Sequence, residues 1–339
     1  MLREVYRIDH PGSIRNLIRK SETLEEPMEG EVTVEVRAIG LNFADVFSVY
    51  GLYSATPKES FIPGLEFAGN IVKIGKNIEN FKVGDPVFGV TRFGAYTTNL
   101  NVSVKTIFPL TNDWDYKMGA AFPVQALTAY YALHPLGQLK DNNTVLVHSA
   151  AGGVGIMAAK IAKKKNVFLI GLVGNESKFS VLKDVGYDVC IVRSPRFKEE
   201  MKDILMQKKL NLVLECLGGG YFQDSYDLLA PTGRLVTYGS ANFTPSHSYR
   251  NWFQLAIKYL TRPKIDPLQM ISDNKSVMGF NLIWLWNEID ELKNHFSSLM
   301  ELSLPPQRIG NEFSFENIHD ALYTFQEGHT IGKIVINVP

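Results

Sequence analysis

The sequence predicts an α/β protein in which a parallel, doubly wound nucleotide-binding sheet is inserted within a second, β-rich domain. Three observations support this. The N-terminal third reads as short strands and turns, strands and helices alternate through the middle, and a single strand closes the chain. A solitary strand needs a sheet to join, so we expect it to join the N-terminal β domain. A length of 339 residues suffices for two domains of ordinary size.

The N-terminal third shows strand periodicity. Residues 31–39 alternate, with Val32, Val34 and Val36 on one face and polar residues on the other, which predicts a half-buried strand. Shorter β runs cover 69–74 and 86–90 and are separated by turn signals. Several short strands at close spacing are typical of a compact β domain.

The pattern changes after residue 113, where an Ala-rich segment predicts a helix over 116–133. Strands are then predicted at 144–148, 167–173, 189–192, 212–216 and 234–238, with helices at 154–165, 177–185, 196–208 and 221–229. Further helices are predicted at 251–260 and 288–300, and the closing strand at 332–338. We therefore expect the β domain at 1–125, the nucleotide-binding domain at 126–266, and a return to the β domain at 267–339.

Composition excludes several classes of protein. Lys and Arg total 35 and Asp and Glu total 35, so no net basic charge favours nucleic acid. No apolar stretch approaches the about 20 residues that span a bilayer, which predicts no integral membrane segment. Two cysteines, Cys190 and Cys216, cannot form a four-thiolate zinc site, and we expect both to be small buried apolar residues. The sparse cysteine usage predicts a cytoplasmic protein.

The sharpest local signal is a turn of small residues between a predicted strand and a predicted helix. It carries Ala151, Gly152, Gly153, Val154 and Gly155, with Ala150 where the dinucleotide fingerprint usually has its first glycine. Small residues let the backbone approach a pyrophosphate, and the helix N-terminus offers free N–H groups. We predict that residues 151–154 contact a dinucleotide; the alternative is a glycine turn without a ligand.

The second strand of this unit suggests which dinucleotide is bound. It ends at Val173 and Gly174 without the acidic residue that holds the ribose 2′-hydroxyl in NAD enzymes. Lys178 and Arg193 follow instead, and two cations favour a 2′-phosphate, hence NADPH. Glu176 weighs against this assignment, and either cation alone also fits a solvated surface charge.

At this point the chain resembles the zinc-independent medium-chain dehydrogenases/reductases, in their quinone oxidoreductase branch, over essentially its whole length. The resemblance rests on the ordered segments GLNFAD (40–45), PGLEFAG (63–69), VGDPV (83–87) and QALTAY (125–130). A finer likeness, to the synaptic-vesicle membrane protein branch of that family, is carried by LLAPTGRLVTYGSAN (228–242) and NKSVMGFNL (274–282). The resemblance implies a GroES-like domain plus a Rossmann domain, usually as a homodimer.

The zinc ligands of the alcohol dehydrogenases are missing from this sequence. Asn42 and Phe43 stand in the first ligand region, and Leu65 precedes Glu66 where those enzymes have His. A catalytic zinc needs about three protein ligands. We therefore expect no metal, and interpret Glu66 as a structural carboxylate at a strand turn.

The resemblance also implies roles for individual residues. Asn42 and Tyr53 would donate hydrogen bonds to the acceptor, or else only satisfy the backbone. The acceptor pocket would include Phe47, Phe280 and Asn281, although the aromatic residues near 280 also fit core or dimer packing. The cofactor would be bound by Gln125, Thr128, Gly174, Leu217, Gly218, Tyr238, Gly239, Ser240 and Lys333, in addition to the turn and the two cations.

The predicted function is hydride transfer from NADPH to a quinone or another α,β-unsaturated carbonyl compound, since the cofactor carries the chemistry and the protein positions the partners. The alternative is an NADPH-binding scaffold or regulatory protein with little turnover, as the vesicle-protein likeness suggests. A thioester enoyl reductase is a third hypothesis, but it requires a cationic approach for a phosphopantetheine arm that the sequence does not reveal.

Overall fold

The structure, a computed structural model, describes residues 1–244 and 251–339 and confirms the mixed α/β class. Strands β1 to β15 are Leu2–Ile8, Leu17–Thr23, Glu31–Gly40, Glu66–Ile74, Pro86–Val90, Asn99–Ser103, Ile107–Pro109, Thr144–His148, Phe168–Val173, Val189–Val192, Leu210–Glu215, Leu229–Thr237, Ser276–Gly279, Ile309–Ser314 and Lys333–Asn337. Helices α1 to α11 are Phe43–Tyr50, Tyr116–Ala121, Pro123–Tyr131, Gly153–Ala162, Phe179–Asp184, Phe197–Leu205, Gly219–Leu228, Trp252–Leu260, Pro267–Asp273, Ile289–Glu301 and Ile318–Gln326.

The nucleotide-binding sheet has six parallel strands in the order β10-β9-β8-β11-β12-β13. The chain runs outward from β8 to β10 and then returns to β11 on the other side of β8. That reversal opens a crevice at the carboxyl ends of β8 and β11, the usual ligand site of doubly wound sheets. β13 extends this sheet to Gly279, beyond the domain boundary predicted at 266.

The second sheet is built mainly from the N-terminal third, in the order β14-β15-β3-β4-β5-β7, with β6 also pairing with β3. β15 runs antiparallel to β3, with Val335 opposite Gly40, which confirms that the closing strand joins the N-terminal sheet. This register brings the start of β15 beside the end of β3. Residues about 290 positions apart in sequence therefore meet at the edge of the crevice.

The helix predicted over 116–133 is wrong in one respect, because the structure divides it into α2 and α3. Pro123 occupies the first turn of α3, where its missing N–H costs nothing. Proline inside a continuous helix would instead remove a backbone hydrogen bond. The new helix start leaves the amide of Val124 free to donate to a side chain, and it donates to Glu66 Oε2 at 2.8 Å.

Within the described part of the chain, no helix combines the length and the apolar character that crossing a bilayer requires.

Candidate functional site

A cleft of about 730 Å³ is bounded by residues of both sheets and their connecting helices. It brings together most of the residues that the sequence singled out. They are Asn42, Phe47, Tyr53, Gln125, Thr128, Ala151, Gly152, Gly153, Val154, Gly174, Lys178, Arg193, Tyr238, Gly239, Ser240, Phe280 and Asn281. Leu217, Gly218 and Lys333, also predicted to bind the cofactor, are not among the lining residues.

The small-residue turn packs so closely that larger side chains are excluded. A Cβ on Gly155 would lie 2.5 Å from the carbonyl oxygen of Ala150, so glycine is needed for α4 to pack on the turn. A Cβ on Gly153 would overlap the side chain of Gln125. Gly152 borders the cleft, and the nearest atom to an added Cβ there is Ser149 O at 3.1 Å. The turn therefore presents backbone to the cleft at the start of a helix.

Gln307 is a residue of this site that the sequence analysis missed. Its buried amide donates to Gln125 Oε1 and to Gly153 O, both at 2.8 Å, and so ties the turn to the helix that carries Gln125. A glutamine after two prolines carries no motif, so nothing in the sequence signals this contact.

The predicted pair of cations meets at one end of the cleft. A Cβ on Gly174 would overlap the Arg193 guanidinium, so glycine lets Arg193 lie across the end of β9. Lys178 Nζ donates to the carbonyls of Gly328 and Thr330, each at 3.0 Å. Burial lowers the pKa of Lys178, and the positive charge of Arg193 lowers it further. Neither cation forms a salt bridge with a carboxylate among the described residues, so this end of the cleft favours an anion.

Lys333, predicted to bind the cofactor, is buried and does not line the cleft. Its ammonium is fully buried and contacts both Glu66 Oε1 and Asn42 Oδ1, the latter at 2.8 Å. The amide of Asn42 also donates to Glu66 Oε1 at 2.8 Å. Burial lowers the pKa of Lys333, while the negative charge of Glu66 opposes that shift. The interpretation of Glu66 as structural agrees with this geometry, whereas the side chain of Lys333 is placed where it supports Asn42.

Tyr53 and Asn281 form a second polar contact on the cleft wall. The Tyr53 hydroxyl donates to Asn281 Oδ1 at 2.7 Å. Burial raises the pKa of Tyr53 to about 12, so the phenol keeps its proton at neutral pH. The hydroxyl proton is therefore used on Asn281, a residue that lines the cleft and whose amide Nδ2 can donate a hydrogen bond.

Glu215, at the end of β11, fixes the backbone of Leu217 and Gly218 by hydrogen bonds. One carboxylate oxygen of Glu215 accepts from the amides of Leu217 and Gly218 at 2.7 and 2.5 Å. His148 is fully buried, with Nε2 3.0 Å from Ser225 Oγ, and is packed in the core as expected. These contacts form the support of the cleft, not its surface.

The two cysteines are less enclosed than predicted, because both are only partly buried. Cys216 lines the cleft, and burial of its thiol raises the pKa to about 11. A thiol that stays protonated is a poor nucleophile, so this geometry gives Cys216 no covalent role.

Comparison with known families places both halves of the chain. Residues 28–112 match the alcohol dehydrogenase GroES-like domain, and residues 153–292 match the family described as zinc-binding dehydrogenase. The synaptic vesicle membrane protein VAT-1 homolog of Rattus norvegicus is 34% identical over 315 residues, which cover 91% of this chain and 77% of that protein. The chain belongs to the medium-chain dehydrogenase/reductase family, in its quinone oxidoreductase-like branch.

Another relative in the family is longer than this chain. The VAT-1 homolog of Danio rerio is 35% identical over 312 residues, which cover 91% of this chain but only 64% of that protein. Among solved structures, a Pseudomonas syringae quinone oxidoreductase superposes with a TM-score of 0.83 at 26% identity, and the CurK enoyl reductase with 0.82 at 25%. A mycobacterial protein complexed with NADPH gives 0.85 at 22%. Each of these three alignments covers 99% of both chains.

Proposed function

We propose that this chain is an NADPH-dependent oxidoreductase that reduces a conjugated carbonyl compound, either a quinone or an enone. The observation that carries the proposal is a single cleft with a cationic end at Lys178 and Arg193 and an apolar wall that includes Phe47 and Phe280. A small-residue turn at a helix start lies in the same cleft. Similar proteins include one complexed with NADPH and one named quinone oxidoreductase, which supports both parts of the proposal.

Each part of the cleft has a distinct task in this function. The turn at 151–154 would hold the pyrophosphate, and Lys178 with Arg193 would hold the 2′-phosphate. Gln125 and Thr128 would orient the ring end of the cofactor. A bound dihydronicotinamide would supply the hydride. Asn281, oriented by Tyr53, would polarise the acceptor carbonyl, and the apolar wall would exclude water.

We predict that Lys178→Ala weakens NADPH binding about tenfold and weakens NADH binding much less. The lost contact is a charge-assisted hydrogen bond to the 2′-phosphate, which only NADPH carries; such bonds contribute about 1.5–3 kcal/mol. We take the lower end because Lys178 already donates to two carbonyls. Calorimetric titration of both cofactors measures the effect.

Lys183→Ala is the matched control for that experiment. Lys183 is an exposed lysine at the end of the helix that follows Lys178, and it does not line the cleft. Its substitution should leave the affinities for both cofactors within about twofold, a change of ~0.4 kcal/mol. Equal losses of NADPH and NADH in Lys178→Ala would contradict the 2′-phosphate assignment.

We also propose that the reaction needs no zinc, despite the description of the matching family. The position beside Asn42 and Glu66 is filled by the ammonium of Lys333, and a buried cation there disfavours a divalent ion. Among residues 1–244 and 251–339, no group of three or more His, Cys, Asp or Glu side chains is placed to hold a metal. Metal analysis should find well below one zinc per chain, and chelation should not lower turnover. Stoichiometric zinc that turnover requires would overturn this proposal.

Turnover itself is tested by NADPH consumption against a panel of quinones, enones and acyl thioesters. Reduction of at least one conjugated acceptor is the expected result. Tight NADPH binding with no reduction of any of them would favour the alternative, an NADPH-binding scaffold. The homodimer and the cytoplasmic location stay predictions.

A further inference from the structure

One part of the cleft, its apolar lobe, is lined by side chains of β7, α3 and α10. Its walls are formed by Phe108, Leu127, Ile289, Leu292 and Phe296. The rings of Phe108 and Phe296 stack with their centroids 4.0 Å apart, which joins the β domain to α10 at this point. Contacts with the cofactor as proposed above involve none of these residues.

Two lysines line the cleft together with this lobe. Lys105 precedes β7 and is exposed, with Nζ 3.3 Å from Asp290 Oδ1. Lys293 lies three residues after Asp290 on α10, and therefore on the same face of the helix. The Lys293 side chain is exposed and forms no ion pair with a described residue. No Asp or Glu is among the described residues that line the cleft, so Lys105 and Lys293 give this rim a positive charge.

An apolar lobe with a cationic rim fits a particular class of acceptor. A small neutral quinone has no anionic group that could form an ion pair with either lysine. A long apolar chain would cover the aromatic and aliphatic walls, and a terminal anion would reach the lysines at the rim. Exposed charges contribute modestly to affinity but discriminate well between charged and neutral ligands of equal shape.

We propose that this lobe binds elongated conjugated carbonyl compounds that end in an anionic group, a carboxylate or a phosphate, held by Lys105 and Lys293. This inference rests on the proposed reductase function and names its substrate class. The reaction balances as follows: a hydride from the dihydronicotinamide adds to the β-carbon and a proton from water adds to the α-carbon. The carbon–carbon double bond becomes single, the dihydronicotinamide becomes the nicotinamide cation, and the anionic end is unchanged.

The test compares acceptors that differ only in their far end. One is a linear α,β-unsaturated aldehyde that ends in a carboxylate, the second is its methyl ester, and the third ends in a phosphate. We expect kcat/KM for either anionic acceptor to exceed that for the ester by about threefold to fivefold, the range of one exposed charge interaction. The two anionic compounds distinguish a carboxylate from a phosphate preference. Calorimetric titration of the three acceptors into the protein without NADPH should show the same order of affinities.

Two substitutions should move this preference in opposite directions. Lys293→Gln should bring the ratio of acid to ester close to one, in both kcat/KM and affinity. Asp290→Asn, which frees Lys105, should raise the ratio by about twofold. Both residues are on the surface, so neither change is expected to unfold the protein. Lys117→Gln is the control, because Lys117 is a partly exposed lysine paired with Glu312 outside the cleft.

The outcomes separate this inference from the reductase function. Equal reduction of acid, phosphate and ester, unaffected by Lys293→Gln, would overturn the anionic subsite and leave the reductase standing. If no acceptor is reduced, the reductase proposal fails, and calorimetry still decides the subsite. In that case, equal affinities for acid and ester would reject it, and a preference for the acid that Lys293→Gln removes would support it.

Discussion

Replacing Lys333 with methionine is expected to lower the free energy of unfolding by about 3–5 kcal/mol, the usual cost of removing one partner of a buried ion pair. The side chains of Lys333 and Glu66 are both fully buried. Without the ammonium, Glu66 keeps only the hydrogen bonds from Asn42 and from the amide of Val124. Chemical denaturation of the variant and the wild type measures the difference.

Two further variants give that experiment its controls. Lys117→Met removes an exposed ion pair with Glu312 and should change the free energy of unfolding by at most about 1 kcal/mol. Adding Glu66→Gln to Lys333→Met removes the unpaired charge and should restore part of the loss. A cost below about 1 kcal/mol for Lys333→Met alone would mean that the carboxylate reaches water or takes up a proton.

The contact of Lys333 with Glu66 could not be predicted from the sequence. The resemblance predicted that Lys333 binds the cofactor. The preceding residue does reach the small-residue turn, since Gly332 N donates to Ala151 O at 2.8 Å, but Lys333 itself does not line the cleft. The direction of the next side chain depends on the pairing of β15 with β3. Because adjacent residues of a strand point to opposite faces, Lys333 turns inward to Glu66. No local pattern encodes a contact across 267 residues.

Local signals were sufficient for the nucleotide-binding half of the fold. The small-residue turn, the alternation of strands and helices, and the lack of an acid at Val173 and Gly174, where β9 ends, are all readable within short windows. The β domain was harder, since β1 and β2 and the short helix α1 lack strong periodicity and depend on tertiary pairing. The contacts of Gln307 and the Tyr53–Asn281 pair likewise join distant segments, which only the folded chain brings together.

Asn281→Ala should lower kcat for an enone by about tenfold to hundredfold, and Tyr53→Phe by about tenfold, with the NADPH dissociation constant unchanged within about twofold. The Asn281→Ala variant would lack the amide donor that stabilises the negative charge developing on the acceptor oxygen. Tyr53, originally predicted to be that donor itself, would act by holding Asn281 Oδ1. Asn42→Ala should also lower kcat, although its amide is already engaged with Glu66 and Lys333. Steady-state and single-turnover reduction measure these effects.

The double variant Tyr53→Phe/Asn281→Ala decides whether Tyr53 acts through Asn281. If it does, the double variant should be no slower than Asn281→Ala alone, because coupled residues are not additive. Independent roles would instead multiply the two losses. Tyr116→Phe provides the control: its hydroxyl donates to Asn70 Oδ1 at 2.7 Å, the same kind of pair, but neither residue lines the cleft. An unaltered kcat in Asn42→Ala, Tyr53→Phe and Asn281→Ala would make these side chains structural and would strengthen the hypothesis of an NADPH-binding scaffold.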